Sequence, residues 1–233
     1  MYTLPTTKFL VTIVFSLTFY GICNLIASPV PFTLGTFWYL PETWEPFWWA
    51  IAPMLVWGCA INIIFTAAHK GDHPGEILVA GTLVSLHAGI LEELVYRWAA
   101  FYAAIISVKI GDFLLGGFMF PHGLTWVFHN YVVGHIVNFT TFGLLNDFIF
   151  HPTTWAIGAG MIAVNATFRD GHKYQGFWGF WNSWFCGMYL FYVMFTYGLP
   201  AAIITHFLYD FIIFATIAAK VAVLPNSMKR VRL

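Results

Sequence analysis

The chain has 233 residues, of which 60% are apolar, 20% aromatic and only 9% charged, with a mean hydropathy of +0.75. Soluble domains carry about 25% charged residues, so this composition excludes an ordinary soluble enzyme, and a formal net charge of zero argues against a nucleic-acid partner. It predicts an all-α fold, a polytopic transmembrane helical bundle in a lipid bilayer, forming a single integral membrane domain over 1–233.

Span one is predicted at Phe9–Ala27, too long for the apolar region of a signal peptide and therefore retained. Ser28–Pro46 holds four prolines, no Lys or Arg, and the rings of Phe37, Trp38, Tyr39 and Trp44, which suits a segment at headgroup level. Span two follows at Phe47–Ala68, then a polar loop, His69–Gly75, marked by Gly and Pro. These make an N-terminal part, 1–75, ahead of a core, 76–223. Span three is predicted over Ile77–Val108, with a turn at Lys109, Gly111 and Asp112. Phe113–Phe150 is apolar but broken by Gly116, Gly117, Pro121 and Gly123, so it forms one long span or two short ones. Thr153–Phe168 and the aromatic Phe177–Tyr197 are the next spans, separated by Arg169–Gly176. Gly198–Pro200 is a break, and Ala201–Val223 is the last span. The count is seven or eight. A basic tail, Lys229–Leu233, on the cytoplasmic side and an acidic first loop on the other favour eight, in a multi-pass protein of a prokaryotic plasma membrane. Cys23, Cys59 and Cys186 lie in apolar segments at no metal-ligand spacing and read as small buried residues.

Leu91–Trp98 reads Leu-Glu-Glu-Leu-Val-Tyr-Arg-Trp. A charge near a bilayer centre costs at least about 2.5–3.5 kcal/mol, so three in one apolar run imply a use or partners. Glu93 and Arg97 are four apart and face each other on a helix. Glu92 points about 100° away and has no local partner. His206 and Asp210 are also four apart, and His172 follows Phe168 by four. A carboxylate and an imidazole together can hold and activate water as a general base. A second imidazole can donate to a developing oxyanion. That set suffices for peptide-bond hydrolysis without a covalent intermediate. The same groups suit zinc, so a metal-bound and a metal-free site both stay open, as does a polar network that only fixes helix packing.

Glu92-Glu93-xxx-Arg97, Phe168-xxx-His172 and His206-xxx-Asp210 resemble, in order, three motifs of the CPBP family. These are membrane-embedded proteins that include CAAX prenyl endopeptidases and bacteriocin-processing (Abi) and self-immunity proteins. The likeness covers Glu92–Asp210, about half the chain. It implies an all-helical fold around a conical intramembrane cavity, and a glutamate-dependent endopeptidase working without metal on a membrane-associated protein or peptide. On the matching positions, Glu92 and His172 would hold and activate the water, and Glu93 would assist or pair with Arg97. His206 and Asp210 would face the oxyanion. Asp210 stands where CAAX-type members commonly carry Asn, and an ionised Asp only accepts hydrogen bonds.

The rival reading is a catalytically inactive membrane subunit of the same fold, binding a partner membrane protein through Ser28–Pro46 and Phe177–Tyr197. A third takes His122 and His129, seven apart and on one helical face if Pro121 only begins the helix, as ligands of a tetrapyrrole. His69, His73, His135 and His151 read as loop or interface residues, and Asn24, Asn62, Asn138, Asn146 and Asn165 as interhelical hydrogen-bonding groups.

Overall fold

The structure is a computed structural model that describes residues 6–26, 33–65, 73–150 and 155–223. The expectations for His69, Lys70, His151, the basic tail and the side chains of Asn24 and Asn62 lie outside the described residues. All regular structure among the described residues is helical: α1 (Thr6–Ile26), α2 (Trp44–Phe65), α3 (Pro74–Glu92), α4 (Ala100–Asp112), α5 (Leu124–Phe128), α6 (Gly134–Thr140), α7 (Asn146–Ile149), α8 (Trp155–Gly171), α9 (Gly176–Tyr197) and α10 (Leu199–Val223). Among the described residues three stretches are long and apolar enough to cross a membrane: Thr6–Cys23, Pro74–Gly117 and Leu199–Val223. Their outer faces expose large apolar side chains, Phe15 and Val79 among them, as a lipid-facing surface does.

The central element is longer than predicted. No turn forms at Lys109–Asp112. Instead α3 and α4 join through a π-helical stretch, Glu93–Ala99, and continue to Gly117, a run of 44 residues. The run ends where Gly116 takes a φ of +112°, a conformation that glycine adopts without strain. Asp112 then acts at a distance: its carboxylate accepts the backbone N–H groups of Gly123 (3.0 Å) and Trp126 (2.7 Å), capping α5 from the neighbouring helix. Phe113–Phe150 is not one continuous helix. It is this helix end, a turn, one helical run from Leu124 to Thr140, and the short α7.

The segment before α2 packs onto the bundle rather than lying apart from it. Trp98 Nε1 donates to Leu34 O (2.8 Å), Tyr102 Oη to Thr33 O (2.6 Å) and Tyr39 Oη to Phe195 O (2.9 Å). Phe37 sits among the rings of Phe101, Tyr102 and Phe195. Gly198 (φ +94°) makes the predicted break, but α10 starts at once, with Leu199 N donating to Phe37 O. Only one residue therefore separates α9 from α10.

What positions the site is the packing of α3 on α10. Gly81, Ser85 and Gly89 recur every fourth residue, and all are buried. A Cβ on Gly81 would overlap the Phe214 ring. One on Gly89 would lie 3.0 Å from Phe207 N and 3.2 Å from Ile203 O. The two helices run antiparallel with their backbones nearly touching, as small residues permit in membranes. The same four-residue series continues to Glu93 and Arg97, also buried. Gly89→Val puts its branches against backbone that cannot yield. Helix propensity favours an ordinary residue over glycine by about 0.5–1 kcal/mol, less than the roughly 1–3 kcal/mol cost of overpacking. A net loss of stability is expected, read as a lower unfolding midpoint in detergent.

Candidate functional site

Arg97 is the largest fully buried side chain among the described residues. It arises on the π-helical stretch, where i→i+5 bonding widens the turn and re-aims side chains; such stretches often occur at functional sites. Its guanidinium pairs with Glu93 Oε1 (3.1 Å), donates to Gly187 O (3.2 Å) and lies 4.3 Å from the centre of the Phe168 ring. Gly187 leaves the room for this: a methyl there would overlap Asn165 Oδ1 and crowd Arg97 Nη2. Asn165, fully buried, is held by a bond from its Nδ2 to Trp184 O (3.0 Å). It bridges α8 and α9 as an interhelical asparagine. Asn146 instead bonds its neighbour Asp147 at the surface.

The same Glu93 oxygen reaches α10. It accepts a hydrogen bond from His206 Nδ1 at 2.7 Å, with both side chains buried. The sequence predicted the Glu93–Arg97 pair but not that Glu93 joins Arg97 to His206. Because a carboxylate accepts, Nδ1 carries the hydrogen and Nε2 is turned toward two more acids. Asp210 Oδ2 lies 3.6 Å from Nε2, and Glu92 Oε2 lies 3.9 Å from it. Neither distance is a direct hydrogen bond. Glu92 Oε2 is buried and without a hydrogen-bond partner.

His206 and Asp210 line a small cleft between α2, α9, α10 and the end of α8. His172 lines it too, with its Nδ1 donating to Phe168 O (2.8 Å), which leaves Nε2 available. Phe168 is the common spacer, packed against Arg97, His172 and His206. The cleft thus unites His172, His206 and Asp210. Glu92, Glu93 and Arg97 do not line it; they adjoin it through His206. Near the end of α8, Asp170 is bound by Arg169 and Lys173, whose hydrogen bonds hold its carboxyl below the usual range. Sequence reasoning missed Asn182 and Tyr209, polar members of the wall linked by a 2.9 Å hydrogen bond. The signal was present: Tyr209 adjoins Asp210 in the chain.

Among the described residues no group of three or more His, Cys, Asp or Glu side chains has the arrangement to hold a metal ion. His122 and His129 do not share a helix face. His122 precedes α5 and stacks on Trp126, whereas His129 is buried with Nε2 bonded to Ile149 O (2.9 Å). His87 is likewise engaged elsewhere, with Thr6 of α1 (3.0 Å).

No family model matches the chain, and neither a curated protein nor a solved structure matches it significantly.

Proposed function

We propose that this is a multi-pass, membrane-embedded endopeptidase of the CPBP type. In this reading water, activated by carboxylate and imidazole, attacks a peptide bond within or beside the bilayer. The observation that carries the reading is the buried 2.7 Å bond from His206 to Glu93. It aims Nε2 at Glu92 and Asp210, beside a cleft that also holds His172. Buried acids and imidazoles gathered from α3, α8 and α10 are costly in a membrane, and such residues by default mark function.

Glu92 is the general base. It takes a proton from a water held against His206 Nε2, with His172 facing the adjoining cleft. The water oxygen bonds to the carbonyl carbon, and the C–N bond then breaks. The proton held by Glu92 passes to the leaving nitrogen, giving a free acid and an amine. Arg97 and Glu93 touch no substrate; they fix the ring of His206. Seven or eight crossings accommodate this site. α2 and α9 have 22 residues each, about 33 Å of helix at 1.5 Å per residue, which matches a bilayer core.

A non-catalytic role on the same scaffold draws support from one observation: Glu92 does not line the cleft. The acids would then serve helix packing, and the cleft would receive a partner membrane protein. The two readings separate on new N termini of membrane proteins in cells carrying the wild type or Glu92→Gln at equal abundance. Termini that vanish with Glu92→Gln support the endopeptidase. Identical sets of termini overturn it.

A further inference from the structure

Hydrolysis of an acyl bond places negative charge on the carbonyl oxygen, and preorganised hydrogen-bond donors stabilise it. The donors of the cleft can be taken one by one. Asp210, ionised, only accepts. The Nδ1–H groups of His172 and His206 are held by Phe168 O and Glu93. The Nε2 of His206 faces Asp210 and Glu92 at 3.6 and 3.9 Å, so any hydrogen there is drawn to those acids, and a neutral His172 turns an acceptor to the cleft. The Ser183 hydroxyl donates to Gly179 O (2.8 Å), and the Cys186 thiol donates to Asn182 Oδ1 (3.6 Å). Gln175 is exposed, its amide bonded to Tyr174. The Tyr209 hydroxyl and the second Nδ2 hydrogen of Asn182 remain, and the hydroxyl is the one that Asn182 itself orients.

Its setting fixes its direction. Trp57 Nε1 can only donate, and it donates to Asn182 Oδ1 (3.0 Å). The Asn182 amide is thereby oriented with Nδ2 toward Tyr209, whose Oη accepts at 2.9 Å. The phenolic hydrogen has poor alternatives. Asn182 Oδ1 is 3.3 Å away and already takes two hydrogens. The neighbouring Cys186 sulfur is a weak acceptor. The ring itself has one seat: α2 passes so close that a Cβ on Gly58 would lie 2.6 Å from Tyr209 Cε2.

We infer that the Tyr209 hydroxyl, aimed by Asn182 and Trp57, donates to the carbonyl oxygen of the scissile bond as that oxygen gains charge. The inference rests on the endopeptidase reading above. Tyr209 keeps its hydrogen throughout, so the proton balance is unchanged. Tyr209 is a catalytic residue; Asn182 and Trp57 are positioning residues.

The test uses the intact purified protein. Its substrate is a synthetic peptide spanning a cleavage site found by the comparison of termini. Tyr209→Phe keeps the ring and removes the hydroxyl. Its kcat is expected to fall about 100- to 1,000-fold with KM little changed. Asn182→Asp retains Tyr209 but replaces the donor Nδ2 with an acceptor that captures the phenolic hydrogen, and the same kcat loss is expected. Unchanged kcat in both variants, or an effect confined to KM, overturns the inference and leaves hydrolysis by Glu92 standing. If Tyr209→Phe does not fold, Asn182→Asp decides. A comparison without Glu92-dependent termini overturns the endopeptidase reading and this inference with it.

Discussion

Glu92→Gln is expected to lower cleavage by about 10²–10⁴-fold, the usual contribution of a general base, while the protein stays folded. The second half of that expectation comes from the neighbourhood of Glu92. Its Oε2 is buried, has no hydrogen-bond partner and lies 3.9 Å from the nearest ring nitrogen. The amide has the same shape and breaks no hydrogen bond of that oxygen. It also relieves a buried carboxylate of its desolvation cost. The unfolding midpoint in detergent should therefore stay level or rise. A variant that is both inactive and strongly destabilised would point to a packing role for Glu92.

Arg97→Met is expected to do the reverse and act first on stability. The guanidinium is fully buried and serves Glu93, the Gly187 carbonyl and the Phe168 ring together. Its removal leaves a buried carboxylate whose cation is gone. Breaking a buried pair from one side costs about 3–5 kcal/mol, or a drop of about 6 °C or more in the midpoint for a chain of this size. Adding Glu93→Gln should recover part of that loss, because the amide oxygen still accepts from His206 without needing a countercharge. The double-mutant cycle isolates the pair. Simple additivity would mean that Arg97 and Glu93 are not coupled.

Parts of this site were legible in the sequence because they are local. Glu93 with Arg97, and His206 with Asp210, follow from four-residue spacing on a helix. The helical class followed from apolar composition. The meeting of Glu93 with His206 is not local, since it depends on how closely α3 and α10 approach. Its cause was in plain sight as Gly81, Ser85 and Gly89, a spacing that goes unnoticed when charges draw the eye. The turn expected at Lys109–Asp112 failed for a different reason. Lys, Gly and Asp usually mark a helix end, but here the Asp112 carboxylate serves the backbone of the next helix while its own backbone stays wound. Tyr209 and Asn182 read as ordinary members of aromatic spans because only the packing of α9 on α10 brings them together in the cleft wall.

The wide turn at Glu93–Ala99 has a consequence for the rest of the chain. Each i→i+5 bond encloses one residue more than the regular winding, so the long helix holds a spare residue between two attachments. On one side hang the acids that reach His206. On the other, Trp98 and Tyr102 hook the carbonyls of Leu34 and Thr33. Removing one residue between Leu94 and Tyr96 would let the ladder close normally and swing the second set about 100° around the axis. The half that carries the buried acids and the half that fastens the N-terminal segment are thus set to different phases of one rod.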